Sequence, residues 1–302
     1  MKCVICKNKS VEIGSLVAKS YLYKNRNLNK CSSCGFVFTE PMPSQAELVK
    51  YNSKYFESAE QDIELNKTQL AFFKAISKIR LKYVIDYLNN NKIKVSNVLE
   101  IGPGPGFFAK SFLEFYKSVN YTAIETDSSC HGSLISKGVK IVDFESFDEK
   151  VDLIIMSHVL EHTSDPCNFI LKVSEKLKSE GVLFIEVPCL DFKHKKIHEP
   201  HLLFFDKKPM NILLQKNNYH NVKVSYHGKK ISKLIRNSKV TKLLNHIRNK
   251  LITYGFVLPF SSKYPGMDLI KNRLERAVIY PYHAHIENEE ESWWLRAIAI
   301  KK

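Results

Sequence analysis

The stretch NVLEIGPGPG, residues 97–106, decides how the chain is read. Three apolar residues, Val98, Leu99 and Ile101, flank one acid, Glu100, and the run ends in glycines at 102, 104 and 106. FFAKSFLEFY follows at once with the spacing of an amphipathic helix. Strand, glycine turn and helix together place a nucleoside cofactor at the carboxyl end of a parallel sheet. Glycine lets the backbone approach a ligand closely and adopt dihedrals closed to side chains. Pro103 and Pro105 alternate with the glycines and stiffen the turn. A dinucleotide fingerprint would need Gly or Ala at 107, where the chain has Phe107, so that spacing is excluded.

Downstream, strands and helices alternate. YTAIE (121–125), VKIV (139–142), VDLIIMS (151–157) and EGVLFIEVP (180–188) read as strands, with CNFILKVSEKL (167–177) as a helix between the last two. The continuous apolar run of VDLIIMS suits a strand buried on both faces. These elements predict a doubly wound parallel sheet. Upstream, QLAFFKAISKIRLKYVIDYL (69–88) has helical periodicity and leads into the glycine strand. Glu125 lies 19 residues beyond Gly106, at a strand tip facing the same crevice, where a carboxylate can accept both ribose hydroxyls.

With these residues in place, the pattern E-x-G-x-G-x-G of Glu100, Gly102, Gly104 and Gly106 resembles motif I of class I S-adenosylmethionine (SAM) methyltransferases. The resemblance covers roughly residues 45–228 and the C-terminus. It implies a seven-stranded Rossmann-like α/β sheet closed by an antiparallel strand, for which YHNVKVSYH (219–227) and SWWLRAIAIKK (292–302) are the candidates. By the same resemblance Asp143 reaches the adenine amino group and Phe144 lies against the ring. The segment SHVLEH, from Ser157 through His158 to His162, lines the pocket under the methyl donor, and Tyr51 and Tyr55 resemble tyrosines that sit over it. Structural histidines and packing tyrosines are the competing readings.

The loop CLDFKHKKIHEPHLLFFDKKPM (189–210) belongs to the acceptor side. Its His201-x-x-x-Phe205 resembles a segment of sugar methyltransferases of the deoxysugar and surface-polysaccharide type. A neutral imidazole can take a hydroxyl proton as the carbon–oxygen bond forms, which makes His201 the candidate base, with His198 and Glu199 as second choices and His158 and His162 as further pocket candidates. Lys193, Lys195 and Lys196 could hold the phosphates of a nucleotide-linked sugar.

At the N-terminus, Cys3-x-x-Cys6 and Cys31-x-x-Cys34 are separated by 24 residues. Two such knuckles complete a closed four-cysteine structural zinc site. Val11–Val17 and Tyr21–Tyr23 could supply a hairpin across the interval. Zinc-bearing sugar C-methyltransferases have a similar site but carry a long C-terminal domain that this chain lacks, which favours O- or N-transfer. The seven cysteines are odd in number and scattered, so a disulfide framework is disfavoured.

Net charge is +15, and from Lys207 to Met267 eleven lysines and two arginines meet no acid. Ile231, Leu234, Ile235, Leu243, Leu244, Ile247 and Leu251 recur there near helical spacing. This basic stretch packs on the core or on a second subunit, lies on an anionic membrane surface, or contacts nucleic acid. The expected layout is a zinc module (1–43), a helical segment over the cofactor (44–95), the SAM-binding core (96–228), a basic helical insertion (229–290) and a closing strand (291–302). No run of 18 apolar residues and no secretory signal is present, so a cytoplasmic location is expected, peripheral to the inner membrane face if the basic stretch binds lipid.

The leading reading is SAM-dependent O-methylation of a sugar or nucleotide-sugar, a small-molecule or glycan acceptor. RNA methylation through the zinc module and basic stretch ranks below it, because the stretch has few aromatics and no N/D-P-P-Y/F motif follows the fourth strand. A non-catalytic zinc-ribbon adaptor is the alternative outside enzymes.

Overall fold

The computed structural model describes residues 1–55, 67–235 and 283–302, with residues 243, 246, 247, 250 and 254 as isolated positions. At the N-terminus β1 (Ser10–Ser15), β2 (Asn27–Cys31) and β3 (Val37–Glu40) form an antiparallel sheet. Its hairpin differs from expectation, since β1 pairs with β2 and Tyr21–Tyr23 form a single 3₁₀ turn between them. Three residues are too few for a ladder, and Tyr23 is instead buried as a packing side chain. The β2–β3 turn carries the second cysteine pair and closes with Gly35 N–H donating to Cys31 O.

After Pro43 the chain forms α1 (Gln45–Asn52). Ser44 and Glu47 cap it reciprocally, each side chain meeting the other's backbone N–H. The long α2 (Lys67–Asn90) leads to β4 (Asn97–Ile101), then α3 (Phe107–Phe115), β5 (Asn120–Ile124), α4 (His131–Ile135), β6 (Lys140–Ile141) and β7 (Val151–Ser157). There follow α5 (Pro166–Glu175), capped by Asp165, β8 (Leu177–Pro188), β9 (Leu203–Phe204), α6 (Lys207–Lys216), β10 (Tyr219–Lys230), α7 (Ile231–Ile235), β11 (Glu287–Asn288) and β12 (Ser292–Lys301).

The main sheet runs β11-β10-β12-β8-β7-β4-β5-β6. Strands β4 to β8 are parallel, and β12 is antiparallel to both β8 and β10. Seven strands were expected and the described residues form eight. The extra strand exists because β10 continues to Lys230, leaving a free edge at Tyr226 and His227 that Glu287–Asn288 pair with. Side chains alternate across the parallel strands. Leu99, Ile154, Met156, Leu183 and Ile185 pack on one face, and Val98, Leu153, Ile155, Val182 and Phe184 on the other. Both faces are covered, which explains the unbroken apolar runs.

β9 was not expected. It pairs with β3, Val37 opposite Phe204 and Phe38 opposite Leu203, so part of the 189–210 loop completes the N-terminal sheet. The packing of the first face extends through Phe205 and Phe36 to Ile5, Cys3 and Cys34, which joins module and sheet in one core. Of the expected basic helices, Ile231–Ile235 form α7, and most of the remainder lies outside the described residues. No helix among the described residues is long and apolar enough to cross a membrane.

Candidate active site

Parallel pairing in register brings the carboxyl ends of β4, β5, β6 and β7 to one edge of the sheet. Gly102, Gly104 and Gly106 turn the chain there with φ of +67°, +54° and +77°, a region that L side chains rarely enter. A Cβ on Gly102 would also meet Val159 Cγ2 at 2.6 Å. Glu125 is tied to this turn. Its Oε2 accepts from Gly104 N–H at 2.8 Å and its Oε1 from Asp127 N–H at 2.9 Å. Burial pushes the Glu125 carboxyl up, against the pull of these two N–H groups.

Glu100 is buried on the Val98 face of the sheet, where Tyr121 donates its hydroxyl to Oε2 at 2.7 Å. Burial raises the Glu100 carboxyl to about 7. Asp143 is exposed past the end of β6 and accepts from Glu145 N–H at 2.9 Å, while Phe144 stacks on Phe169. Ser157 ends β7 with its hydroxyl buried and without a hydrogen bond, and His158 follows at φ +59°. The end of α1 and the residues after it lie across the edge, with Thr126 Oγ1 donating to Asn52 O and the Tyr55 ring 5.6 Å from that of His162.

The acceptor-side residues converge on Glu161. Its Oε1 lies 3.2 Å from His158 Nδ1, 3.8 Å from His162 Nε2 and 4.0 Å from His201 Nε2. His201 Nδ1 is 2.7 Å from Asp191 Oδ2, and Asp191 also meets Lys195 Nζ at 2.8 Å. His162 Nδ1 faces Pro200 O at 3.2 Å. A carboxylate and a carbonyl can only accept, so both Nδ1 atoms carry a proton, and Nε2 of a neutral ring then presents its lone pair. Burial would raise the Asp191 carboxyl, but His201 and Lys195 hold it far below the usual range. Burial lowers His162 to about 4, leaving a neutral ring at pH 7.

His198 and Glu199 are turned toward the N-terminal module. Val17 N–H donates to His198 Nδ1 at 3.1 Å, and Ser20 donates to Glu199 Oε2 from both its N–H and its hydroxyl at 2.9 Å. Phe205 is fully buried against Phe36. Lys193 pairs with Glu291 and Lys195 with Asp191, so of the three loop lysines only Lys196 has no ion pair among the described residues.

A family model described as a methyltransferase domain matches residues 72–225, just over half of the chain. The chain belongs to this methyltransferase family. With the sheet and glycine edge described above, it is a class I, SAM-dependent methyltransferase. A Thermotoga maritima structure described as a SAM-dependent methyltransferase and possible histamine N-methyltransferase is similar at TM-score 0.50 and 13% identity, covering 84% of this chain and 100% of that one. A plantazolicin methyltransferase, solved with a triazolic substrate analogue and S-adenosylhomocysteine, is similar at TM-score 0.50 and 14% identity, covering 85% of this chain and 96% of that one. At these identities the likeness is one of fold. No curated protein sequence matches the chain.

In the methyltransferase the four N-terminal cysteines also come together. Their sulfurs all lie within 4.8 Å of one another, with Cys3–Cys34 at 3.7 Å and Cys6–Cys31 at 3.3 Å, and none is in a disulfide. Tetrahedral zinc with sulfur at about 2.3 Å puts sulfurs about 3.8 Å apart, so the donor set fits that ion.

Five polar residues of the site were missed in the sequence: Glu161, Asp191, Glu186, Arg80 and Arg296. Glu161 stood in plain sight inside HVLEH, while Asp191 precedes His201 by ten residues with no motif linking them. Glu186 is fully buried and accepts from Arg80 Nε at 2.7 Å and Arg296 Nε at 2.6 Å, with His158 Nε2 at 3.5 Å. Those partners come from elements far apart in the chain, which no local pattern reports.

Proposed function

We propose that this methyltransferase O-methylates a hydroxyl of a sugar or nucleotide-sugar used in surface-polysaccharide synthesis, with His201 activating that hydroxyl. The observation that carries the reading is the His201–Asp191 pair on the acceptor side of the sheet edge. Asp191 fixes the tautomer in which Nε2 of His201 is basic, and it stabilises the imidazolium that proton uptake creates. SAM supplies an electrophilic methyl group on a sulfonium sulfur. His201 Nε2 would take the acceptor's hydroxyl proton as that oxygen is methylated, with S-adenosylhomocysteine as the other product, and pass the proton on to water. His198 and Glu199 are engaged by Val17 and Ser20, which favours His201 over them as base.

SAM would be held at the glycine edge by the Gly102–Gly106 backbone and Glu125, with Glu100 buried behind the turn and Asp143, Phe144, Ser157, His158 and Tyr55 bordering it. Zinc on Cys3, Cys6, Cys31 and Cys34 is structural, since four thiolates leave it no open position. The His201-x-x-x-Phe205 segment supports a sugar acceptor, and exposed Lys196 is the residue of this loop best placed to meet a phosphate.

The test is methyl transfer to a panel of nucleotide sugars and glycans. His201→Ala should lose turnover while calorimetry still shows SAM binding. Turnover kept by His201→Ala would remove the residue from the reaction, and an absence of SAM binding by the native chain would favour the adaptor reading.

A further inference from the structure

Glu161 is 1% exposed, neither carboxylate oxygen has a hydrogen bond, and the ion-pair partner nearest to it is His158, whose Nδ1 lies 3.2 Å from Oε1 and whose other nitrogen is shared with Glu186 at 3.5 Å. A buried carboxylate in that state is costly unless positive charge meets it. Facing it are the Nε2 atoms of His162 and His201 at 3.8 and 4.0 Å, while the Nδ1 protons are committed to Pro200 O and Asp191 at the far side of each ring. Wherever those nitrogens are unprotonated, their lone pairs repel the carboxylate they face. A cation between them would convert that repulsion into three bonds. The outer contacts are also of the kind that orients metal-bound imidazoles, an N–H given to a carboxylate or to a backbone carbonyl.

We propose that Glu161, His162 and His201 bind a divalent cation. Their donor atoms already lie within 4.8 Å of one another. Nitrogen and oxygen sit about 2.0–2.2 Å from zinc, so adjacent donors stand about 3–4 Å apart and closure takes side-chain shifts of about 1 Å or less. Two imidazoles and one carboxylate suit zinc, iron(II) or manganese and leave coordination positions open. This set differs from the closed cysteine site, where four sulfurs would surround the ion.

The proposal rests on the reading of His201 as the residue that activates the acceptor, and it changes the means. Nε2 then holds the ion in place of the proton. An acceptor hydroxyl on an open position loses its proton to water more readily, because the cation stabilises the oxyanion. The methyl carbon is attacked by the same oxygen in either case.

The experiment counts zinc. Wild type, Glu161→Gln, His162→Ala and Cys31→Ser are equilibrated with micromolar zinc, freed of unbound metal and measured by elemental analysis, with SAM calorimetry as the check of folding. Two zinc ions per chain are expected in wild type and one in each variant. Asp191→Asn should weaken the second site by about 10–100-fold, as loss of an outer partner does. The same zinc content in wild type, Glu161→Gln and His162→Ala overturns the cation site. Loss of turnover in His201→Ala alongside that result leaves the general-base reading standing, and retained turnover there sinks the activation role itself.

Discussion

Glu100 sits where the strand gives way to the glycine turn, and its chemistry follows from being sealed in. The side chain is 2% exposed with one neutral donor, the Tyr121 hydroxyl, so burial lifts its carboxyl from 4.5 to about 7. Native protein therefore keeps a proton that the unfolded chain releases between about pH 4.5 and 7. Where the native state binds more protons, stability falls as pH rises, so this group's contribution is whole below about 4.5 and lost above about 7. At about 1.4 kcal/mol for each pH unit, the loss across that window is about 3 kcal/mol. Glu100→Gln keeps an acceptor for Tyr121 and has no proton to lose. Urea titrations from pH 4.5 to 8 should show wild type losing about 3 kcal/mol more than the variant; parallel curves would mean that Glu100 titrates normally.

At the scale of elements, the N-terminal module is a clamp on the acceptor loop. Thr39 N–H donates to Leu202 O at 2.8 Å, β3 pairs with β9, and His198 N–H donates to Val17 O at 2.8 Å. His201 is thus held on both sides by the module, whereas the glycine turn and Glu125 are held by the parallel sheet. On the reading proposed above, Cys31→Ser, or withdrawal of the zinc proposed for the module, should lower turnover on the order of 100-fold through misplacement of His201. SAM affinity should stay near its native value, and equal losses of both would show that the module supports the whole fold. This division also separates what the sequence disclosed from what it hid. The glycine turn, the buried strands and the cysteine knuckles are local patterns whose residue types and periods are set by the backbone beneath them. β9 is two residues long and has no period to read. Its register comes from Phe36, Phe204 and Phe205 packing across some 170 residues of chain. The Asp191–His201 contact was hidden in the same way, because its meaning lies in how the loop folds back and not in spacing.

Across the whole molecule, one carboxylate ties the two ends of the core together. Glu186 on β8 receives Arg80 from α2 on one oxygen and Arg296 from β12 on the other, while His158 beyond β7 approaches at 3.5 Å. Arg296 is 1% exposed and cannot turn to water when its partner is lost, whereas the Arg80 side chain is 13% exposed. A buried ion pair adds little over apolar packing, because desolvation offsets the attraction, but removing one member leaves an uncompensated charge. Glu186→Ala leaves buried Arg296 stranded and takes the carboxylate from Arg80 as well. It should therefore cost at least the about 3–5 kcal/mol typical of a broken buried pair. Arg296→Met leaves Glu186 with Arg80 and should cost less than Glu186→Ala. Both are read from urea midpoints with unchanged slopes. If Arg296→Met proved the more damaging change, the Arg296 guanidinium over the Tyr83 ring, and not the shared carboxylate, would be what fastens the closing strand to the parallel sheet.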